Sequence, residues 1–275
     1  MEKRTLLFRD KQVTYTVSGS GTPVILLHGF GEDSFIWHQQ VPALAALCKI
    51  IVPDIPGSGE SELIPEAGIP VYAGVIKSII EKEGQTALLI GHSMGGYIAL
   101  ELAQRYPEAV SALGLVHSTA YADSDERKVM RGKAMDFIRQ KGAWTFLKAS
   151  TPGLFAPDAQ ERLRHEIAEL SERNRSFTEE AICQYYQAML ERPDRSDVLR
   201  HFHGPVFMVI GEEDPAVPFK QSLEQTHLPA EAHVHILRGV AHMGMWEEPR
   251  KMSELLVAFV THCIHAQPSQ SFNKK

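Results

Sequence analysis

Ser93 stands in the run Gly91-His92-Ser93-Met94-Gly95, behind the apolar stretch Ala87-Leu88-Leu89-Ile90 and ahead of a helical segment from Met94 to Tyr106 that Pro107 stops. A serine hydroxyl is a poor nucleophile at neutral pH and works only with a base beside it and a third group orienting that base. G-x-S-x-G arises by accident about once in ten chains of this length, so the pattern alone carries little. Its position carries more. At a sharp strand-to-helix turn the glycines remove side chains that would clash, and the serine hydroxyl stands clear above a sheet. The helix N-terminus then offers N–H groups where an oxyanion would form.

Two partners occur downstream in matching settings. Asp214 lies in Gly211-Glu212-Glu213-Asp214-Pro215, after the apolar run Val206-Phe207-Met208-Val209-Ile210. His242 lies in Gly239-Val240-Ala241-His242, after Val234-His235-Ile236-Leu237. Ser93 as nucleophile, His242 as base and Asp214 as the acid would share one edge of a parallel sheet, where open α/β sheets place their sites. Glu212 and Glu213 stay open as alternative acids.

The positioning elements are legible as short apolar runs. Val24-Ile25-Leu26-Leu27, Ile50-Ile51-Val52 and Ala112-Leu113-Gly114-Leu115-Val116 are unbroken, as in strands covered on both faces. Residues 12–17 alternate polar and apolar, as a half-buried strand does. Helical segments between them, such as 71–83, predict a mostly parallel sheet with helices on both faces. The alternation breaks over 121–201. There Met130, Ala134, Phe137 and Ile138, and then Ile182, Tyr185, Tyr186, Met189 and Leu190, recur at helical spacing. Thr178 is placed as an N-cap, with Phe177 and Ile182 as a hydrophobic staple. This predicts a core of residues 1–120 and 202–265, a helical insertion at 121–201 and a frayed tail at 266–275.

With these motifs in hand, residues 5–262 resemble the α/β-hydrolase family. The resemblance rests on Leu27-His28-Gly29-Phe30, Asp54-Ile55-Pro56-Gly57-Ser58-Gly59, Gly91-His92-Ser93-Met94-Gly95-Gly96 and the loops 211–218 and 239–242, in that order. It implies an oxyanion hole from the backbone N–H groups of Phe30 and Met94, with Gly29 and Gly31 allowing close approach. It implies a lid at 121–201, and it adds Asp123 as an alternative acid, since some members carry the acid after the sixth strand. Members that cleave epoxides or haloalkanes use aspartate where this chain has Ser93, which points here to acyl transfer. Small carboxylic esters are the first expectation. Thioesters and carbon–carbon bonds of diketones follow. A ligand receptor on the same fold, which can keep the triad, is the competing class, and a cofactor-free oxygenase or perhydrolase a third.

Other features read plainly. His92 is expected to pack and His28 to shape the oxyanion loop. The spaced pairs His201/His203 and His233/His235 show no neighbouring carboxylate or cysteine to complete a metal site. No cofactor or metal is called for. Asp54 reads as a turn residue. Trp144, Phe146, Phe155, Tyr185 and Tyr186 are expected to build the insertion's core, some of them lining a pocket. A net charge of −6 argues against a nucleic-acid or anionic-membrane surface without choosing a substrate; the small acyl substrate expected as partner is what the resemblance implies. Three dispersed cysteines and charge returning at Arg9-Asp10-Lys11, too early for a secretory apolar region, make a cytoplasmic enzyme the expectation.

Overall fold

Seven of the strands form where the apolar or alternating runs place them, and an eighth precedes them. The computed structural model describes residues 1–266, so the tail predicted at 266–275 lies outside the described residues from 267 on. The strands are β1 (Glu2–Phe8), β2 (Lys11–Ser18), β3 (Pro23–Leu27), β4 (Lys49–Pro53), β5 (Ala87–His92), β6 (Val110–Val116), β7 (Val206–Gly211) and β8 (Ala232–Leu237). They make one sheet in the order β1-β2-β4-β3-β5-β6-β7-β8. From β4 to β8 every pairing is parallel, whereas β1–β2 and β2–β4 are antiparallel. The unbroken runs are the buried strands β3 to β7, of which β5 and β7 are buried throughout, and β1, which sequence reading passes over, is the polar edge.

The helices of the core are α1 (Val41–Ala45), α2 (Ile69–Glu83) and α3 (Met94–Arg105) before the insertion. The stretch between β6 and β7 holds only helices and turns: α4 (Asp125–Lys141), α5 (Ala143–Ser150), α6 (Pro157–Arg162), α7 (Arg164–Arg173), α8 (Glu179–Glu191) and α9 (Ser196–His201). The core resumes with α10 (Phe219–Glu224), α11 (Gly244–Glu247) and α12 (Pro249–Ala266). Two apolar clusters cover opposite faces of the sheet. One joins α2 and α3 to Ile25, Leu27, Leu89 and Leu113, the other α12 to Leu26, Leu88, Ile90 and Phe207.

α8 starts as its sequence predicts. The Thr178 hydroxyl accepts from the Ala181 N–H at 3.1 Å, and Phe177 and Ile182 are buried in the same cluster. α4 departs from its expected face. Ile138 is buried, but Met130 is 68% and Phe137 42% exposed, and Met135 is the second residue packed inward. Met130 and Ala134 instead border a cavity above Ser93, so part of the apolar stripe faces a void and not the core. Asp123, just ahead of α4, is fully buried between two guanidiniums. Its carboxylate accepts from Arg131 and pairs with Arg192 Nη1 at 2.9 Å. That clasp ties the loop after β6 to α4 and to the end of α8.

Candidate active site

Ser93 sits between β5 and α3 at φ +50, ψ −116, a conformation rare for a residue with a side chain. Neighbouring contacts impose it. The Ser93 N–H donates to the Val116 carbonyl at 3.0 Å, and Ser118 Oγ donates to the Ser93 carbonyl at 2.7 Å. A Cβ on Gly91 would collide with the Gly95 backbone, and one on Gly95 would stand 2.6 Å from the Leu27 carbonyl oxygen. Met94 opens α3, so its N–H has no intrahelical acceptor. Phe30 lies between Gly29 and Gly31, the latter at φ +66.

Asp214 and His242 are joined. The His242 Nδ1–H faces both carboxylate oxygens, at 2.9 and 3.0 Å, and both side chains are nearly inaccessible. Asp214 is fixed in turn by the N–H groups of Ala216 and Val217, each 2.8 Å from Oδ1. Burial raises the Asp214 pKa, but His242 and His117 outweigh it and hold the carboxyl far below its usual range. Burial likewise lowers His242, and Asp214 reverses this, leaving the imidazole above an ordinary histidine. Glu212 and Glu213 are exposed, and Asp123 is occupied by its arginines. Ser93 and His242 line the same cavity of about 390 Å³, although no hydrogen bond joins Ser93 Oγ to His242 in this structure. Catalytic hydrogen bonds often tighten only once substrate is bound.

Of the five aromatics named in the insertion, two line the cavity and three do not. Phe146 and Tyr186 line the cavity, and the Tyr186 ring lies 4.2 Å from that of Phe30. Tyr185 is fully buried, with its hydroxyl donating to the carbonyls of Ile55 and Pro56. Phe155 is core, and Trp144 lies under the cations of Lys148 and Arg175. Arg127 and Arg131 of α4 also border the cavity. A second cavity, about 110 Å³, shares Phe30, Glu32, Leu154 and Tyr186 with the first.

Several residues around the site carry no mark in the sequence. His92 does more than pack, since its two nitrogens meet Glu32 Oε2 at 2.9 Å and the His242 carbonyl at 3.0 Å. His117 is buried 3.5 Å from Asp214 Oδ2, and burial pushes its pKa down to about 4. The Glu247 carboxylate accepts from the N–H groups of Ala241 and Met243 and so clamps the backbone on both sides of His242. His28, as expected, shapes a loop: its Nε2 accepts from the Ile55 N–H at 2.9 Å. Asp54 accepts from the N–H groups of Ser34 and Glu60, as a turn residue. The reading of His233 as lacking a nearby carboxylate is corrected. Glu231 Oε1 lies 2.9 Å from His233 and 2.7 Å from His262, because α12 packs beside β8, and these three could hold a metal ion, as could His117, Asp214 and His242.

The fold and this constellation define a class: a parallel-sheet hydrolase scaffold with its polar side chains gathered beyond the strand ends. The model of the alpha/beta hydrolase family matches residues 24–255, and the chain belongs to that family. It is 28% identical over 244 residues to the dihydrolipoyllysine-residue acetyltransferase component of an acetoin cleaving system of Pseudomonas putida, covering 87% of this chain and 64% of that relative's length. It is 29% identical to a pimeloyl-[acyl-carrier protein] methyl ester esterase of Aeromonas hydrophila, covering 88% of this chain and 96% of the relative. A thermophilic esterase from Thermogutta terrifontis has the same fold, with a TM-score of 0.89, 23% identity and coverage of 96% of this chain and 99% of the other. Among the described residues no helix is long and apolar enough to cross a membrane.

Proposed function

We propose that the chain is a serine hydrolase acting through an acyl-enzyme on small carboxylic esters. The observation that carries this reading is the strained Ser93 at the floor of a cavity whose wall includes His242, itself held by Asp214. In this account Ser93 Oγ attacks the ester carbonyl carbon while His242 Nε2 takes its proton. The Phe30 and Met94 N–H groups hold the oxyanion, an arrangement whose single donors are worth about a hundred- to a thousandfold in rate. Collapse of the adduct expels the alcohol, which receives the proton from His242. Water, deprotonated by the same imidazole, then releases the carboxylic acid and restores Ser93. Asp214 stabilises the imidazolium formed in both halves. The segment 121–201 is assigned the lid's role, since Phe146 and Tyr186 reach the cavity from it. The esterase named among the relatives supports the substrate class. The test is turnover of a nitrophenyl ester series of rising acyl length by the wild type and by Ser93→Ala: the wild type turns over and the variant does not.

A further inference from the structure

We infer that Glu32 is a positioning residue that locks three loops of the site together through His92; this rests on the hydrolase reading above. The His92 ring is buried, and both of its nitrogens face acceptors. Nδ1 lies 2.9 Å from Glu32 Oε2 and Nε2 lies 3.0 Å from the carbonyl oxygen of His242. The His92 and Glu32 side chains are only 1% and 10% exposed, so little water competes for these contacts. Burial raises the Glu32 pKa, but the neighbouring His92 outweighs this and favours the ionised form.

The same Glu32 oxygen accepts from the Gly29 N–H at 2.7 Å. One carboxylate therefore holds the loop that carries the Phe30 N–H and, through His92, both the turn that carries Ser93 and the backbone of His242. The parts are pressed together: a Cβ on Gly29 would stand 2.9 Å from Glu32 Oε2 and 3.0 Å from both His92 Nδ1 and Ser93 Cβ. Stabilisation of an oxyanion depends on donors fixed before the charge develops, and a misplacement of about 1 Å costs on the order of a hundredfold. A charge-assisted bridge between the loops supplies that rigidity.

Glutamine at position 32 separates geometry from charge. Its amide can donate to a neutral His92 Nδ1 and accept from the Gly29 N–H, while His92 keeps Nε2–H for the His242 carbonyl. Glu32→Ala can make none of these bonds. With a nitrophenyl ester, Glu32→Ala should lower kcat about ten- to a hundredfold with KM nearly unchanged. It should weaken a trifluoromethyl ketone inhibitor by the same factor, and Glu32→Gln should recover most of both losses. Unchanged kcat and inhibitor affinity in Glu32→Ala, or equal damage in the two variants, would overturn the inference. Should Glu32→Ala fail to fold, histidine nitrogen-15 NMR on wild type and Glu32→Gln decides. A hydrogen bond between His92 Nδ1 and the side chain at position 32 should make the Nδ1 resonance differ between the two proteins; a His92 resonance unchanged by the substitution contradicts the bridge. A wild type that neither turns over esters nor labels at Ser93 overturns the hydrolase reading instead, and leaves the NMR result to judge the bridge.

Discussion

The His242 imidazole meets the Asp214 carboxylate through Nδ1, with both oxygens within 3.0 Å and both side chains removed from solvent. The pairing favours imidazolium despite its burial. A general base must be neutral to accept a proton, so kcat/KM should be high above the His242 pKa and fall as pH drops through it. The acid limb should lie above the ordinary histidine value of about 6.5. Asp214→Asn removes the charge that raises it, so whatever activity survives should carry its limb at lower pH. A pH–rate profile of both proteins checks this.

Asp214 and Asp123, both acids in the sequence's list, should separate by kind of damage. Asp214→Asn should cost about ten thousandfold in kcat, because the base loses its tautomer and its counter-charge. Asp123→Asn should spare the chemistry and cost stability, since it strands Arg131 and Arg192 beside a neutral amide. Breaking a buried pair costs about 3–5 kcal/mol, which in a chain of this size lowers the melting midpoint by on the order of ten degrees. Paired kinetics and calorimetry distinguish the two, and the reverse ranking in kcat would move the acid to Asp123.

Tyr185 and Tyr186 are adjacent on α8 yet should behave differently. Tyr186→Ala opens the cavity wall beside Phe30 and should change relative kcat/KM along an acyl-length series, by about 1–3 kcal/mol for each methylene-sized difference. Tyr185→Ala empties a fully buried site and takes the hydroxyl donor from the Pro56 carbonyl, so it should destabilise by about 3–5 kcal/mol and leave selectivity alone. Melting curves and an ester panel read the two effects.

Much of this layout is legible along the chain because the physics is local. Doubly covered parallel strands must be unbroken apolar runs, and the runs at 87–90 and 206–210 mark β5 and β7 directly. A strand end followed by a turn then places Ser93, Asp214 and His242. The edge strand β1 escapes because its polar half faces water. Glu32 and His92 escape for another reason: 60 residues separate them, and no local pattern marks two polar side chains that meet only after folding. His117 and Glu247 are hidden in the same way. The stripe on α4 misleads because an apolar periodicity does not tell a core from a cavity wall.

The measurement that reaches the central claim most directly is fluorophosphonate labelling read by intact mass, with peptide mapping, on the wild type and Ser93→Ala. The wild type should take up one phosphonyl group at Ser93 and lose ester turnover in step with labelling. Ser93→Ala should stay folded, take up no label and lose about four to six orders of magnitude in kcat. A label on any other residue, or turnover persisting in the variant, would remove Ser93 from the chemistry.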